Sequence, residues 1–162
     1  MQRRILTMTT LLGLSLACGI TMAQVNETLS EFSNEVEALR TVMQTERKIL
    51  VMQEMQLTPA EAEDFWPLYD EYSAESKKLG DLRVKVITDY AANYGSMTDD
   101  LAKRLLDDSV KYRERQIKLQ KKYIRKFRSV LPEIKVTRLF QLDNKINAIV
   151  DYDLAAEIPL ME

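Results

Sequence analysis

Apolar residues recur at intervals of three and four along most of the chain, which is the spacing that places side chains on one face of an α-helix. The longest repeat runs from Pro59 to Asn93. It predicts a helix about 50 Å long at ~1.5 Å per residue, either continuous through Gly80 or broken there. The apolar face of this helix consists of Phe65, Leu68, Tyr72, Leu79, Leu82, Val86 and Tyr90.

Three further helices are predicted from the same periodicity. The first ends near Met55 and includes residues 49–52, which are apolar on nearly every side and are expected in the central core rather than on an exposed surface. Thr98 is predicted as the N-cap of the third helix, and Pro132 as the start of the fourth, which should end near Ala156. No segment alternates as a strand would, so the fold class is predicted as all-α, either a four-helix bundle or a curved helical cradle with long antiparallel helices.

The third helix carries two neighbouring apolar stripes, and both are expected to be buried. The first stripe consists of Leu101, Leu105, Tyr112, Leu119, Tyr123, Phe127 and Val130. The second consists of Leu106, Val110, Ile117, Ile124 and Leu131. After the fourth helix, the apolar residues 158–161 are expected to pack back over the bundle.

The connection between the first two helices has the clearest local signal. Thr58 is a good N-cap, Pro59 suits the first helical position, and Glu61 stands where a capping-box carboxylate bonds back to the cap. The densest aromatic patch of the chain, which includes Phe65 and Trp66, follows at once and is expected to anchor the core.

The segment Leu57-Thr58-Pro59-Ala60-Glu61 resembles the Leu-Thr-x-x-Gln motif of the Spy/CpxP family of periplasmic stress proteins, with Glu61 in place of the motif glutamine. Leu131-Pro132-Glu133 resembles a second copy that lacks the Thr and the Gln. The resemblance, over roughly residues 30–157, implies a helical cradle that dimerises and holds unfolded proteins on a basic and apolar concave face without nucleotide. CpxP-like members instead restrain a sensor kinase.

The first residues predict export. Arg3 and Arg4 precede an apolar run at 5–17 that is too short to cross a bilayer, and small residues around Ala23 suit a signal peptidase. We expect a signal peptide at 1–23, cleaved after Ala23, and a periplasmic mature chain of one all-helical domain at 24–162 without a transmembrane segment. The alternative is a lipoprotein modified at Cys18.

The amino-acid composition argues against most kinds of catalytic and metal-binding site. The chain has no histidine, and its one cysteine, Cys18, would leave with the signal peptide. The usual general base, the thiolate nucleophile and the zinc ligands His and Cys are therefore missing, and the sequence has no glycine-rich phosphate loop. No catalytic, cofactor or metal site is predicted, and an enzyme is not expected.

One charged pattern remains. Between Lys111 and Arg128 there are nine basic residues and one acid, and five of the bases form a single row that is expected to lie opposite the apolar stripes. The row consists of Lys111, Arg115, Lys118, Lys122 and Arg125. It is either a surface that attracts acidic partners or a solvated face. The acids that would partly balance this face include Glu61, Glu63, Asp64, Asp70 and Glu71.

On the family pattern, this basic row together with Met52 and Met55 would bind clients, although methionine at helical spacing also fills cores. The predicted function is a periplasmic ATP-independent chaperone or envelope-stress adaptor that binds unfolded or partner proteins, with a possible homodimer and no nucleic-acid partner. The alternative is a structural or signalling partner of one specific envelope protein, such as a sensor kinase that it restrains.

Overall fold

The computed structural model describes Ala38 and residues 41–161 of the chain, and helices account for most of them. Helix α1 covers residues 41–54, α2 Pro59–Ala92, α3 Asp99–Phe127 and α4 Glu133–Glu157, with a short 3-10 turn at Tyr94–Ser96. No strand occurs within these residues. The predicted all-α class is confirmed, and the residues Val42–Glu162 form one compact unit.

The predicted helix starts are confirmed by their caps. Thr58 accepts a hydrogen bond from the Glu61 backbone N–H, and the Glu61 carboxylate accepts one from the Thr58 N–H at 2.8 Å, which completes the capping box. Thr98 caps α3 by accepting from the Leu101 N–H. Helix α2 runs unbroken through Gly80, so the alternative of a break there is wrong.

Successive helices run antiparallel. Lys48 of α1 pairs with Asp70 of α2, and Lys126 of α3 pairs with Glu71 of α2, both within 3 Å. Gln120 of α3 and Asn144 of α4 are hydrogen-bonded, and a bidentate pair between Arg128 and Glu133 bridges the α3–α4 connection. Helix α4 closes the bundle against α1 through Arg47, which donates to Asp143 and Asn147.

The hydrophobic core lies at one end of the bundle, where the α1–α2 and α3–α4 connections meet. We call this the core end. Its largest fully buried side chains belong to α2, α3 and the connection after α1, namely Phe65, Tyr123, Phe127 and Met55. The buried cluster is completed by Val51, Tyr69, Tyr72, Leu131, Val136, Leu139 and Phe140.

At the opposite end, where α2 passes into α3, the buried apolar side chains are Tyr90 and Leu105. Residues 158–161 pack back over this end as predicted: the Tyr90 hydroxyl donates to the Pro159 carbonyl at 2.7 Å, and that of Tyr94 donates to the Leu160 carbonyl at 3.2 Å. These contacts are made by backbone carbonyls, while among the side chains of the segment Ile158 is half-buried and Leu160 is 87% exposed.

Two predictions about buried faces are wrong. In the run 49–52 only Val51 is buried, while Ile49, Leu50 and Met52 are exposed because α1 has neighbours on one side. On α3 the first stripe supplies the core residues, but the second stripe is largely exposed, with Leu106, Val110 and Ile117 between 49% and 66% exposed. A wide apolar arc on a helix does not by itself specify which part a neighbour covers.

The predicted signal peptide at 1–23, the alternative at Cys18 and the start of the first helix lie outside the described residues. Among the helices that the structure does describe, none is both long and apolar enough to cross a membrane.

Replacing Phe127 with Ala should lower the free energy of unfolding by about 3–5 kcal/mol, because it leaves a cavity among aromatic rings at a fully buried position. The matched control is Ile134→Ala at a site that is 77% exposed, where the change should stay within ~0.5 kcal/mol. Urea unfolding measures both. Equal losses at the two positions would contradict the assignment of the core.

Candidate partner-binding groove

Four of the five basic-row residues line an open depression of about 400 Å³ between α2 and α3, which we call the basic groove. Its α3 side is formed by Arg115, Lys118, Lys122 and Arg125, with Leu119 among them. Glu75 and Leu79 of α2 form the other side. The groove therefore combines a rim of positive charge with an apolar floor of two leucines.

The four positively charged side chains of the groove differ in whether they are paired with an acid. Lys122 donates to both Glu75 carboxylate oxygens at 2.6 and 2.8 Å, and its ammonium lies 5.0 Å from the Tyr123 ring centroid. Arg115, Lys118 and Arg125 are exposed and make no ion pair with any described residue. Three positive side chains are thus left for a partner.

The fifth member of the row, Lys111, lies outside the groove and pairs with Asp108 at 3.2 Å. Three of the acids expected to balance the row are engaged elsewhere: Glu61 pairs with Lys135, while Asp70 and Glu71 pair with the α1 and α3 lysines named above. The row is balanced in part by two other acids, Asp108 and Glu75, so a solvated, partly balanced face and a partner surface both stay predictions.

The sequence predicted that the basic row lies opposite the apolar stripes of α3. The structure differs at one apolar residue, Leu119, which lies beside the row. Leu119 is four residues after Arg115 and three before Lys122, so it lies one turn from both on the same side of α3. It is only partly buried, packed against the edge of the core cluster. Leu119 therefore lies at the boundary between the basic row and the buried stripe, and it forms the α3 part of the floor of the groove.

Glu75 is the one acid in the groove, and its charge is stabilised there. Hydrogen bonds from Lys122 and then from the Tyr123 hydroxyl, at 2.8 Å, hold the pKa of Glu75 below its ordinary value. The pKa of Tyr123 is raised, first by burial and then by this bond to a carboxylate. These contacts fix one side chain of the groove to the core.

The two methionines predicted for the partner surface are not part of the groove. Met55 is fully buried in the core cluster, so its assignment to a client surface is wrong. Met52 is 59% exposed on α1 but does not line the groove. Met55 follows α1 immediately and points into the space between four helices, which explains why its side chain serves packing.

The two motif-like segments meet in space. Lys135, two residues into α4, donates to the Gln56 carbonyl at 2.9 Å and to the Glu61 carboxylate at 2.5 Å. Gln56 itself has a φ of 47°, a left-handed conformation that is uncommon for a residue other than glycine. The remaining positions of these segments are structural, with Leu57 packed on the core, Pro59 opening α2, Leu131 buried and Pro132 at the N-cap of α4.

The two aromatic residues that follow the α1–α2 connection, Phe65 and Trp66, pack in or against the core. Phe65 is fully buried, and Trp66 packs edge-on against it with ring centroids 5.0 Å apart. The Trp66 ring is partly exposed, and the Lys48 ammonium lies 5.4 Å from its centroid. Both residues anchor α2 to the core, as predicted.

Sequence reasoning missed a buried ionic network that joins three helices. Asp143 of α4 is 6% exposed and accepts hydrogen bonds from Arg47 of α1, the Tyr72 hydroxyl of α2 and the Asn147 amide. The pKa of Tyr72 is strongly raised by burial and by this carboxylate. The one sequence signal was Asp143 itself, an acid within the apolar face formed by Leu139, Phe140 and Ile146.

The described residues contain no group of three or more His, Cys, Asp or Glu side chains placed to hold a metal ion. Comparison with known protein families, with curated proteins and with solved structures yields no match in any of the three. The groove must therefore be interpreted from its own residues.

Replacing Arg47 with Ala should destabilise the protein by about 3 kcal/mol, because it leaves the buried Asp143 carboxylate without its cation. The double change Arg47→Ala with Asp143→Leu should recover part of the loss, since no buried charge then remains. Urea unfolding of the two variants measures the difference. A double variant less stable than the single one would contradict the role given to this pair.

Glu75→Gln should lower stability at pH 7, and this loss should shrink as the pH falls below 4.5. A carboxylate whose pKa is depressed in the folded state stabilises the fold above its ordinary pKa of 4.5, and this contribution is lost as the pH falls through the folded-state pKa. Urea midpoints measured in steps from pH 7 downwards test the expectation. Glu63→Gln, at an exposed position, is the control and should change the urea midpoint little at pH 7.

Proposed function

We propose that this protein binds unfolded or partly unfolded proteins through the basic groove, without nucleotide, as a periplasmic chaperone or envelope-stress adaptor. The observation that carries the proposal is the set of three cations, Arg115, Lys118 and Arg125, that have no ion pair within the described chain and surround an apolar floor.

The groove suits a two-step capture. Unpaired cations at an exposed rim attract acidic segments over about 8–10 Å at physiological ionic strength, which speeds encounter without demanding a fixed geometry. Contact with Leu79 and Leu119 then holds apolar side chains of the same segment. Because the leucines are few and the rim consists of long, exposed side chains, binding should be tolerant of sequence and weak for each site.

Other exposed apolar side chains are poorer candidates for this task. Leu106 and Ile149 are more than 60% exposed, but single exposed apolar residues are common on protein surfaces and need no function. Neither lines the basic groove, where three unpaired cations stand beside an apolar floor. Exposed apolar side chains are what distinguish an unfolded client from a folded one, and the charged rim adds attraction for its acidic segments.

The resemblance of the first connection to the Spy/CpxP motif supports the same assignment and adds two elements to the proposal, action in the periplasm and a possible homodimer. Export directed by residues 1–23 is proposed from those residues themselves. The completed capping box between Thr58 and Glu61 supports a helix-starting role for the motif-like segment, with Glu61 acting where the family has Gln.

The proposal is tested by light scattering of a chemically denatured, aggregation-prone protein mixed with this protein at increasing ratios. The wild type should suppress aggregation near stoichiometric ratios at low salt and less well at high salt, because salt screens the capture step. Changing Arg115, Lys118 and Arg125 to Glu should abolish most of the suppression. These three side chains have no described ion partner, so the variant should still fold.

The matched control changes Lys103, Lys121 and Lys145 to Glu, three exposed lysines outside the groove. It alters the net charge equally and should keep the activity. Equal loss in both variants would show that only net charge matters and would refute the groove. Binding to one envelope protein, with no suppression of general aggregation, would favour the alternative of a single-target partner.

A further inference from the structure

A second depression lies at the opposite end of the bundle, away from the core, and we call it the distal pocket. Its volume is about 440 Å³, within the range of roughly 300–1,000 Å³ in which proteins hold small ligands. Its wall is mainly apolar and comes from α2, α3, α4 and the C-terminal segment. The apolar lining consists of Val86, Ile87, Tyr112, Leu154, Ala155, Ile158, Pro159 and Leu160.

One wall of the distal pocket is formed by the segment after α4, and two tyrosines fix it. The Tyr90 and Tyr94 hydroxyls donate to consecutive carbonyls of this segment, those of Pro159 and Leu160. Tyr90 is among the few buried side chains at this end of the bundle. The segment is therefore held in place by its backbone, which leaves its side chains and the space beneath them available.

Two arginines border the distal pocket, and they are not equivalent. Arg83 is satisfied within the protein, since it pairs with Asp151 at 2.6 Å and lies 5.8 Å from the Tyr112 ring centroid. Arg113 lines the pocket at an exposed position and makes no ion pair with any described residue. The pocket thus has one unused positive charge at its rim.

The surface beside Arg113 is also apolar. Val110 and Ile117 are three residues before and four after it, so they lie on the same side of α3, and they are 49% and 52% exposed. The guanidinium therefore stands between an apolar pocket and an exposed apolar stripe. A ligand that matches this arrangement has one anionic group and one long apolar part.

We propose that the distal pocket binds a single-chain anionic amphiphile, with its alkyl chain among Val86, Leu154 and Ile158 and its headgroup on Arg113. A carboxylate or phosphate accepts two parallel hydrogen bonds from a guanidinium, which a neutral headgroup cannot do with the same strength. Arg83 is unsuitable as the anchor because Asp151 already occupies it. This site is separate from the basic groove, and the inference does not depend on the chaperone function.

The test is isothermal titration calorimetry of the purified full chain with dodecanoate below its micelle concentration. We expect one molecule bound per chain, and roughly tenfold weaker binding of decanoate, since each buried methylene contributes about 0.8 kcal/mol. Monolauroylglycerol, which has a neutral headgroup, should bind at least tenfold more weakly. Monoacyl phosphoglycerol is compared in parallel, and the tighter of the two anions identifies the source as a free fatty acid or a lysophospholipid.

Two variants locate the site. Arg113→Gln should weaken dodecanoate binding roughly tenfold, as expected for a lost charged hydrogen bond, while Arg104→Gln, an exposed arginine on the same helix outside both depressions, should not. Ala155→Trp, at an exposed position lining the pocket, should block the alkyl chain of every ligand. Circular dichroism checks that each variant is folded.

Three results would overturn the proposal. They are no measurable heat of binding, several equivalent molecules per chain as in detergent-like adsorption, and equal affinity of the Arg113→Gln and Arg104→Gln variants. None of these would bear on aggregation suppression by the basic groove, because the two sites share no lining residue.

Discussion

The contact of aromatic rings from α2, α3 and α4 at the core end is the interaction on which the rest of the structure depends. Phe65 meets Phe127 with ring centroids 5.5 Å apart, Tyr72 meets Tyr123 at 5.1 Å, and Phe127 meets Phe140 at 6.1 Å. Pairs in this range contribute about 0.5–1.5 kcal/mol each beyond the area they bury. Together with the aliphatic residues of the same cluster and the buried Asp143 network, these rings set which helices are neighbours.

The concentration of the core at one end explains where the two candidate sites lie. Beyond Tyr72 on α2 and before Tyr123 on α3, the facing positions are occupied by Leu79 and Leu119, which are only partly buried. Space that a larger side chain would fill remains open there as the basic groove. The distal pocket arises in the same way further along, where the C-terminal segment is held by backbone hydrogen bonds and its side chains cover the helices only in part.

Local features of the fold could be predicted from the sequence, and tertiary ones could not. Thr58 with Glu61, and Thr98 with its two acids, fix helix starts through bonds within four residues, so no knowledge of the rest of the chain is needed. Met55 and Leu106 were misplaced because each lies on a broad apolar arc, and only the position of a neighbouring helix decides which part is covered.

The same distinction holds for the candidate groove. The basic row could be predicted from the spacing of its five residues. Which of these cations remain available to a partner depends on the ion pairs that they form with other helices. Lys122 is paired with Glu75, which lies 47 positions away in the sequence, whereas Arg115 and Lys118 form no ion pair with any described residue. Asp143 was overlooked for a related reason, since its partners Arg47 and Tyr72 are far from it in sequence.

The central claim is that unfolded clients contact the basic groove and not other exposed lysines of α3. It is tested most directly by photo-crosslinking, with a photoreactive residue placed at position 118 inside the groove or at position 103 outside it. Both positions are exposed lysines on the same helix, and they lie roughly 22 Å apart along its axis at ~1.5 Å per residue. The account predicts client crosslinks from 118 and few from 103. Equal yields, or more from 103, would contradict it.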